Sequence, residues 1–109
     1  MADDPALTPA LLRAHPLPEP TGGKDDRGGV LVLGGARATP GAVQLAGLAA
    51  LRVGAGRLTL GVAASVAAAL AVATPEAGVV GLPEDDGGSV TGPGRAIAGE
   101  LERADVVVV

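Results

Sequence analysis

The sequence contains 109 residues, which is the size of a single domain, and 48% of them are hydrophobic. No Phe, Trp or Tyr is present, so a thin core built from Ala, Val and Leu is predicted. The formal net charge of −4, without a basic cluster, argues against nucleic acid and anionic membranes as partners, and the lack of cysteine excludes disulfides and thiol nucleophiles.

Residues 1–28 are rich in proline and charged residues, and we expect an extended arm with one helical turn from about Pro9 to Ala14. The arm contains the only histidine, His15, which is the obvious candidate for acid–base chemistry. His15 precedes Pro16 in an unstructured context without a visible partner, so a solvated position is favoured over a catalytic one. The acidic N-terminus lacks the features of a secretory signal, which predicts a cytoplasmic protein.

A strand, a glycine-rich turn and a helix are predicted to follow the arm. Val30–Leu33 is a run of strand formers typical of a strand buried on both faces, and Gly34-Gly35 ends it. Thr39 and Pro40 suit the N-cap and the first position of a helix that runs to about residue 54.

Small residues that open onto the N-terminus of a helix form a geometry that accepts phosphate or other anionic groups. Glycine after a strand is equally the ordinary way to make a tight turn before a helix. Neither the P-loop pattern nor the dinucleotide-binding pattern Gly-x-Gly-x-x-Gly is matched. The turn is therefore a candidate ligand site whose ligand the local pattern does not identify.

The helix after Pro40 is apolar on nearly all sides. Helical spacing predicts that one group of residues faces the core: Ala42, Leu45, Ala46, Ala49 and Val53. Leu48 and Leu51 extend the apolar surface beyond this group. Such a helix packs on a sheet and against something else, either another subunit or a part of the domain outside this sequence.

The alternation of strands and helices predicts an α/β fold with a mainly parallel sheet. The later elements are predicted as strands at Arg57–Val62, Val79–Leu82 and Val106–Val109 and helices at Ala64–Val72 and Gly94–Ala104, with Glu100, Glu102 and Arg103 facing solvent. The apolar run from residue 62 to residue 73 is too short to cross a bilayer. A core strand without a following helix leads us to expect that more of the domain follows Val109.

The loop after the third strand carries three consecutive carboxylates, Glu84, Asp85 and Asp86. Three adjacent carboxylates could hold a metal ion, but they lack the alternating spacing of a metal-binding loop. A solvated loop is the favoured interpretation.

Several motifs occur in one order and with consistent separations. They are Lys24-x-x-x-Gly28, the strand Val30–Leu33 with Gly34-Gly35, the turn Pro40-Gly41-Ala42, the segment from residue 50 to residue 62, and the closing segment from residue 104 to residue 109. Together they resemble the N-terminal part of the NAD(P)H-hydrate dehydratases, which are ribokinase-like enzymes. The resemblance implies a partial ribokinase-like three-layer fold, with residues 1–28 as the arm and residues 29–109 as the first part of the dehydratase domain.

The resemblance also implies an activity, which is the repair of nicotinamide nucleotides. Members of the family dehydrate the S-epimer of hydrated NADH or NADPH at the expense of ADP, or ATP in eukaryotes, with Mg²⁺ assisting. The alanine that contacts the hydrated dinucleotide corresponds to Ala42, and Gly34, Gly35 and Gly41 would shape the same wall. A homo-oligomer, a tetramer in the family, and NAD(P)H-hydrate epimerase as a partner are implied in the same way.

Two positions depart from the family pattern, Ala36, where serine is common, and Thr39, where the residue is larger. The family's Pro-His-Pro-Gly loop and its Gly-Gly-Thr-Gly-Asp segment with the catalytic aspartate would lie beyond Val109. Gly92-Pro93-Gly94 does not replace the family's Gly-Pro-Gly, because it precedes a helix instead of following the valine strand. No catalytic residue or metal ligand is therefore assigned here, and we expect these 109 residues alone to be inactive.

Two other interpretations stay open at this point. Another ribokinase-like enzyme, a small-molecule kinase, would share the sheet and the glycine turn. A non-enzymatic fragment would bind neither ADP nor NADPH.

Overall fold

Four parallel strands form one sheet in the computed structural model, which describes residues 4–19, 21–92 and 94–109. The strands are β1 (Gly29–Leu33), β2 (Arg57–Ala63), β3 (Gly78–Leu82) and β4 (Val106–Val108). The helices are α1 (Pro9–Ala14), α2 (Gly41–Arg52), α3 (Ala64–Ala73) and α4 (Ala98–Arg103), and a 3-10 helix at Gly94–Ile97 precedes α4. This arrangement confirms the predicted α/β class and the parallel sheet. Pro93, within the Gly-Pro-Gly motif considered above, lies outside the described residues, as do residues 1–3 and Pro20 of the arm.

The main core lies on the side of the sheet that α2 and α3 cover. Alternate residues of β2, namely Leu58, Leu60 and Val62, point to this side, as expected for a strand with a two-residue repeat. The core cluster consists of side chains that are at most 5% exposed: Val32, Val43, Leu58, Leu60, Val62 and Leu70. All six are aliphatic, so the core is made of Val and Leu as the composition predicts.

A second layer of helix lies on the opposite side of the sheet. Thr59 pairs in register with Leu31, and its hydroxyl donates a hydrogen bond to Oε2 of Glu100 on α4 at 3.4 Å. Ile97, at the end of the 3-10 helix, is fully buried. Helices on both sides of a parallel sheet form three layers, as the resemblance implies.

The strand order β3-β2-β1-β4 reverses direction once. From β1 the chain adds β2 and then β3 on one side, and it then returns to place β4 on the other side of β1. Asp105 aligns the start of β4 with β1, because its N–H donates to the Gly29 carbonyl at 2.8 Å and its carboxylate accepts the Gly29 N–H at 2.7 Å. Open α/β sheets bind ligands beyond the carboxyl ends of their strands at such a reversal. The expected ligand position is therefore next to the end of β1.

Helix α2 presents a different face to the sheet than its spacing predicted. Val43 and Gly47 are buried, whereas Leu45 is 70% exposed and Val53 is 80% exposed. Of the predicted core group Ala42, Leu45, Ala46, Ala49 and Val53, only Ala46 packs against the core, together with Val43, Gly47, Ala50 and Leu51. The prediction was wrong because a helix that is apolar on all sides offers no contrast from which its inward face can be chosen.

Strand β4 is not the buried core strand that the valine run predicted. Val106, Val107 and Val108 are 53%, 41% and 42% exposed, and Val109 is 98% exposed. The strand lies at the edge of the sheet, where β1 is its hydrogen-bonded neighbour. A run of valines predicts strand conformation correctly, but burial depends on what covers the strand.

The helix predicted at Gly94–Ala104 is divided into a short 3-10 segment and α4. Gly94 has a positive φ of 47°, which is a left-handed conformation. A right-handed α-helix therefore cannot begin at this residue. Glu100 is half-buried against Thr59 and not fully on the solvent side, which corrects its predicted position. Glu102 and Arg103 are exposed as predicted.

The helical turn predicted in the arm is present as α1. The Thr8 hydroxyl accepts the N–H of Leu11 at 3.1 Å and caps the helix. His15 is exposed at the other end of α1, with Nδ1 at 3.1 Å from the Leu11 carbonyl oxygen. In the part of the chain that the structure describes, no helix has the length and apolar character needed to cross a membrane.

The inward face of α2 can be tested with two substitutions on the same helix. Val43→Ala removes two methyl groups from a side chain that is 5% exposed, and we expect it to lower the free energy of unfolding by about 2 kcal/mol. Leu45→Ala, the matched control at an exposed position, should change that free energy by less than about 0.5 kcal/mol. Urea denaturation of both variants measures the difference, and a larger loss for Leu45→Ala would contradict the observed helix orientation.

Candidate functional site

An apolar cleft of about 310 Å³ lies at the carboxyl edge of the sheet, beside the point where the strand order reverses. Its lining comes from the ends of β1 and β3, from the segments that follow them, and from the residue after β4: Leu33, Gly34, Gly35, Leu82, Val90 and Val109. Two of the four predicted site residues, Gly34 and Gly35, therefore line this cleft. The other two, Gly41 and Ala42, are exposed in the first turn of α2 and do not line it.

Gly34 follows β1 and packs directly against α2. Its N–H donates to the Gly61 carbonyl at 3.0 Å, which continues the hydrogen bonding between β1 and β2 by one residue. A Cβ atom at this position would overlap Cγ2 of Val43. Val43 is buried and β-branched, so its side chain has little freedom to move away. Glycine at position 34 therefore allows the strand end and the helix start to touch.

The first turn of α2 has N–H groups that no described residue uses. Pro40 is the N-cap residue, and its carbonyl accepts the N–H of Gln44 at 3.3 Å. Among the hydrogen bonds between described residues, none involves the N–H groups of Gly41 or Ala42. These groups and the helix dipole give this end of α2 a partial positive charge, which suits a phosphate or another polar ligand group.

Thr39 is not the N-cap that the sequence predicted. Its N–H donates to the Ala36 carbonyl at 3.2 Å and closes a turn before the helix, while its side chain is exposed. The helix begins one residue later than predicted because Pro40 itself occupies the cap position, with φ −69° and ψ −18°. Proline has no side-chain acceptor, so the N–H groups of the first turn stay available to a ligand.

A short hairpin at residues 83–91, which we call the 83–91 hairpin, packs against the glycine turn. The N–H of Val90 donates to the Gly35 carbonyl at 2.8 Å, and the N–H of Arg37 donates to the Gly88 carbonyl at 2.9 Å. The glycine turn is therefore not an open loop, because the hairpin holds its outer edge through main-chain hydrogen bonds.

The three carboxylates of the 83–91 hairpin do not converge on one point. Glu84 Oε1 lies 3.5 Å from Nη1 of Arg37, and Oε2 accepts a hydrogen bond from the Ser65 hydroxyl at 3.0 Å. Asp85 and Asp86 are exposed. Within residues 4–19, 21–92 and 94–109, no three His, Cys, Asp or Glu side chains are grouped as a metal site. Glu84 has a structural partner that the prediction of a solvated loop did not include.

A second cleft, of about 290 Å³, lies at the opposite edge of the sheet near the amino ends of β1 and β2. Its lining is polar and includes Lys24, Arg57 and Glu100. The Arg57 Nε atom lies 3.4 Å from a carboxylate oxygen of Asp25 without forming a hydrogen bond to it. We place the candidate site at the carboxyl edge because parallel α/β sheets bind their ligands there.

The carboxyl-edge cleft is lined by glycine main chain and by Leu and Val side chains. Such a surface brings a ligand close to backbone N–H groups and excludes water from it, and its lining contains no acid, base or nucleophile. Fold and site together place the chain in the class of open parallel α/β proteins, in which ligands bind beyond the carboxyl ends of the strands where the strand order reverses.

Comparison with known proteins identifies the family. The family model for NAD(P)H-hydrate dehydratase matches residues 30–109, which is most of the chain. The chain therefore belongs to the NAD(P)H-hydrate dehydratase family. This result agrees with the resemblance drawn from the motifs between Lys24 and Val109.

Two relatives of known name support the same assignment. The chain is 50% identical over 103 residues to the ADP-dependent (S)-NAD(P)H-hydrate dehydratase of Xanthomonas campestris pv. campestris. The matched region covers 94% of this chain and 36% of the relative. It is 40% identical over 86 residues to the bifunctional NAD(P)H-hydrate repair enzyme Nnr of Moorella thermoacetica. That matched region covers 78% of this chain and 16% of the relative. The chain thus spans about a third or less of the length of these relatives. No solved structure matches it significantly.

Sequence reasoning missed the contribution of the 83–91 hairpin to the site. The hydrogen-bonded pairs that join it to the glycine turn are separated by about fifty residues in sequence, as Arg37 and Asp86 show with a separation of 49. No local pattern carries such a contact.

The contact between Gly34 and α2 predicts different outcomes for two neighbouring glycines. Gly34→Ala places a methyl group on Val43, and we expect a loss of about 1–3 kcal/mol in the free energy of unfolding. Gly35→Ala, which meets no atom within 4 Å, should change that free energy by less than about 0.5 kcal/mol. Val43→Ala in the Gly34→Ala background should recover part of the loss. Equal effects of the two glycine substitutions in thermal or urea denaturation would show that the contact does not constrain the turn.

Proposed function

We propose that this chain forms one wall of the substrate site in an enzyme that repairs nicotinamide nucleotides. The reaction is the ADP-dependent dehydration of the S-epimer of hydrated NADH or NADPH. The observation that carries the proposal is the position of the glycine turn. In a chain whose family is established over residues 30–109, that turn lies at the reversal of strand order and against the N-terminus of α2.

The wall acts by shape and by backbone polarity. Gly34 and Gly35 let the dinucleotide approach the main chain, and the methyl group of Ala42 leaves space at the start of α2. The unused N–H groups of Gly41 and Ala42 lie at the positive end of the helix dipole, where they can donate hydrogen bonds to polar groups of the ligand. These four residues are the substrate-binding residues of the proposal.

The chemistry in the family is kinase-like. The nucleotide phosphorylates the hydroxyl group of the hydrated ring, and loss of phosphate together with a ring proton restores the reduced nicotinamide. No residue between 1 and 109 is assigned a catalytic role, because the chain contains neither Pro-His-Pro-Gly nor Gly-Gly-Thr-Gly-Asp. The proposal includes Mg²⁺ with the nucleotide, but no described residue is assigned to the ion.

The remaining features of the proposal concern assembly and location. Exposed Leu45 on α2 and Val53 at its C-cap support self-association into a homo-oligomer, because both are large apolar side chains. NAD(P)H-hydrate epimerase is the proposed partner enzyme, since it would supply the S-epimer from the R-epimer. Both activities belong in the cytoplasm, where nicotinamide nucleotides are used.

The activity is tested with a protein of the relatives' full length that contains this sequence. We expect it to convert hydrated NADPH to NADPH in the presence of ADP, followed by absorbance of the reduced nicotinamide, and the 109 residues alone to show no turnover. Turnover of a hydroxymethyl vitamin precursor, with none of hydrated NADPH, would contradict the proposal and favour a small-molecule kinase.

The role of Ala42 is tested with a matched pair of substitutions on α2. Ala42→Leu should raise the KM for hydrated NADPH about tenfold, because a bulky side chain at the wall costs roughly 1.4 kcal/mol of binding. Ala49→Leu is the control, since Ala49 is also exposed on α2 but lies two helical turns from Ala42. An equal KM for hydrated NADPH in the two variants would show that Ala42 does not contact the substrate.

A further inference from the structure

Arg37 connects the glycine turn to the 83–91 hairpin with more contacts than its neighbours make. Its main-chain N–H donates to the Gly88 carbonyl at 2.9 Å. Its side chain donates from Nη2 to the Asp86 carbonyl at 2.7 Å, and Nη1 lies 3.5 Å from Oε1 of Glu84. Main chain and side chain of one residue therefore hold the same hairpin at three points.

The hairpin is shaped to receive this side chain. Gly88 is buried and has a positive φ of 83°. A Cβ atom at position 88 would lie 2.5 Å from Cγ and 2.7 Å from Nε of Arg37, so the aliphatic part of the arginine lies where a side chain of residue 88 would be. Glycine is required there both for the backbone conformation and for the space.

The same connection continues to the start of α3. Glu84 uses one carboxylate oxygen for Arg37 and the other for the hydroxyl of Ser65, which is the second residue of α3. The turn after β1 is thus linked through two side chains to the junction of β2 and α3. This junction belongs to the rigid part of the fold, because Val62 and Ala63 at the end of β2 are each 1% exposed.

The contribution of this linkage to global stability is small. The side chain of Arg37 is 44% exposed, and solvent screens an ion pair at such a position. The linkage instead determines the position of the turn. The hairpin holds Gly35 itself through a single main-chain hydrogen bond, from the Val90 N–H at 2.8 Å, so the contacts of Arg37 are needed to fix the turn. Small displacements of a binding wall have large effects on how a substrate is oriented.

We propose that Arg37 is a positioning residue, which holds the Gly34-Gly35 wall against the hairpin in the geometry that binds the hydrated dinucleotide. This inference rests on the proposed function of the same wall. It concerns a residue that does not itself line the cleft. Arg37 acts on the substrate through the glycine turn and leaves the nucleotide that donates the phosphoryl group unaffected.

The test uses the full-length protein and compares two Michaelis constants. Arg37→Ala should raise the KM for hydrated NADPH about fivefold to tenfold and leave the KM for ADP within about twofold. Thermal denaturation should show nearly unchanged stability, which separates positioning from a merely structural role. Arg52→Ala, which removes an exposed arginine from the far end of α2, is the control and should change neither constant.

A second pair of variants tests the partner. Glu84→Gln should reproduce part of the KM effect, and exchange of the two charges in Arg37→Glu with Glu84→Arg should restore more binding than Arg37→Glu alone. Hydrogen exchange of the peptide that spans the glycine turn should become faster in Arg37→Ala and not in Arg52→Ala. These readouts follow the turn itself and remain informative if one variant folds poorly.

Failure of this inference differs from failure of the proposed function. If the unmodified protein converts hydrated NADPH and Arg37→Ala leaves its KM unchanged, or raises the KM for ADP equally, Arg37 is not the positioning residue. If the unmodified protein neither converts hydrated NADPH nor binds NADPH, the proposed function is wrong and the inference fails with it.

Discussion

The contact between Gly34 and Val43 is the constraint on which the rest of the site depends. It brings the carboxyl end of β1 against the Val43 side chain in the first turn of α2, because residue 34 has no side chain of its own. Val43 is at the same time a member of the main core, packed with Val32 and Leu60. The position of the candidate site is therefore determined by the same packing that stabilises the domain, and a change in one must affect the other.

The site illustrates how a binding wall is made without reactive side chains. Reversal of the strand order leaves a cleft beside the end of β1, and Gly34 and Gly35 keep that cleft open to the main chain. Free N–H groups at Gly41 and Ala42 supply polarity, while the 83–91 hairpin supplies rigidity through Arg37. Under the proposed function, this part of the chain contributes binding and orientation of the dinucleotide.

Much of the fold could be predicted from local patterns. Strand formers bounded by glycine placed β1, β2 and β3 within one residue of their observed limits, and the alternation with helices predicted a parallel sheet. The inward face of α2 could not be predicted, because alanine and leucine surround the helix and only the sheet selects Val43 over Leu45. The exposure of β4 and the split of the last helix depend in the same way on tertiary neighbours. For the site, the motifs indicated the glycine turn, whereas the link from Arg37 to Glu84 joins residues that are distant in sequence and has no local signal.

The most direct measurement of the central claim is an NMR titration of the full-length protein with NADPH, followed through the backbone amides. We expect the largest chemical-shift changes at Gly34, Gly35, Gly41 and Ala42, at the carboxyl edge of the sheet. We expect no comparable changes at Arg57 or Glu100, which line the cleft at the opposite edge. Changes confined to that opposite cleft would show that the dinucleotide binds at the amino ends of the strands, and the proposed site would then be wrong.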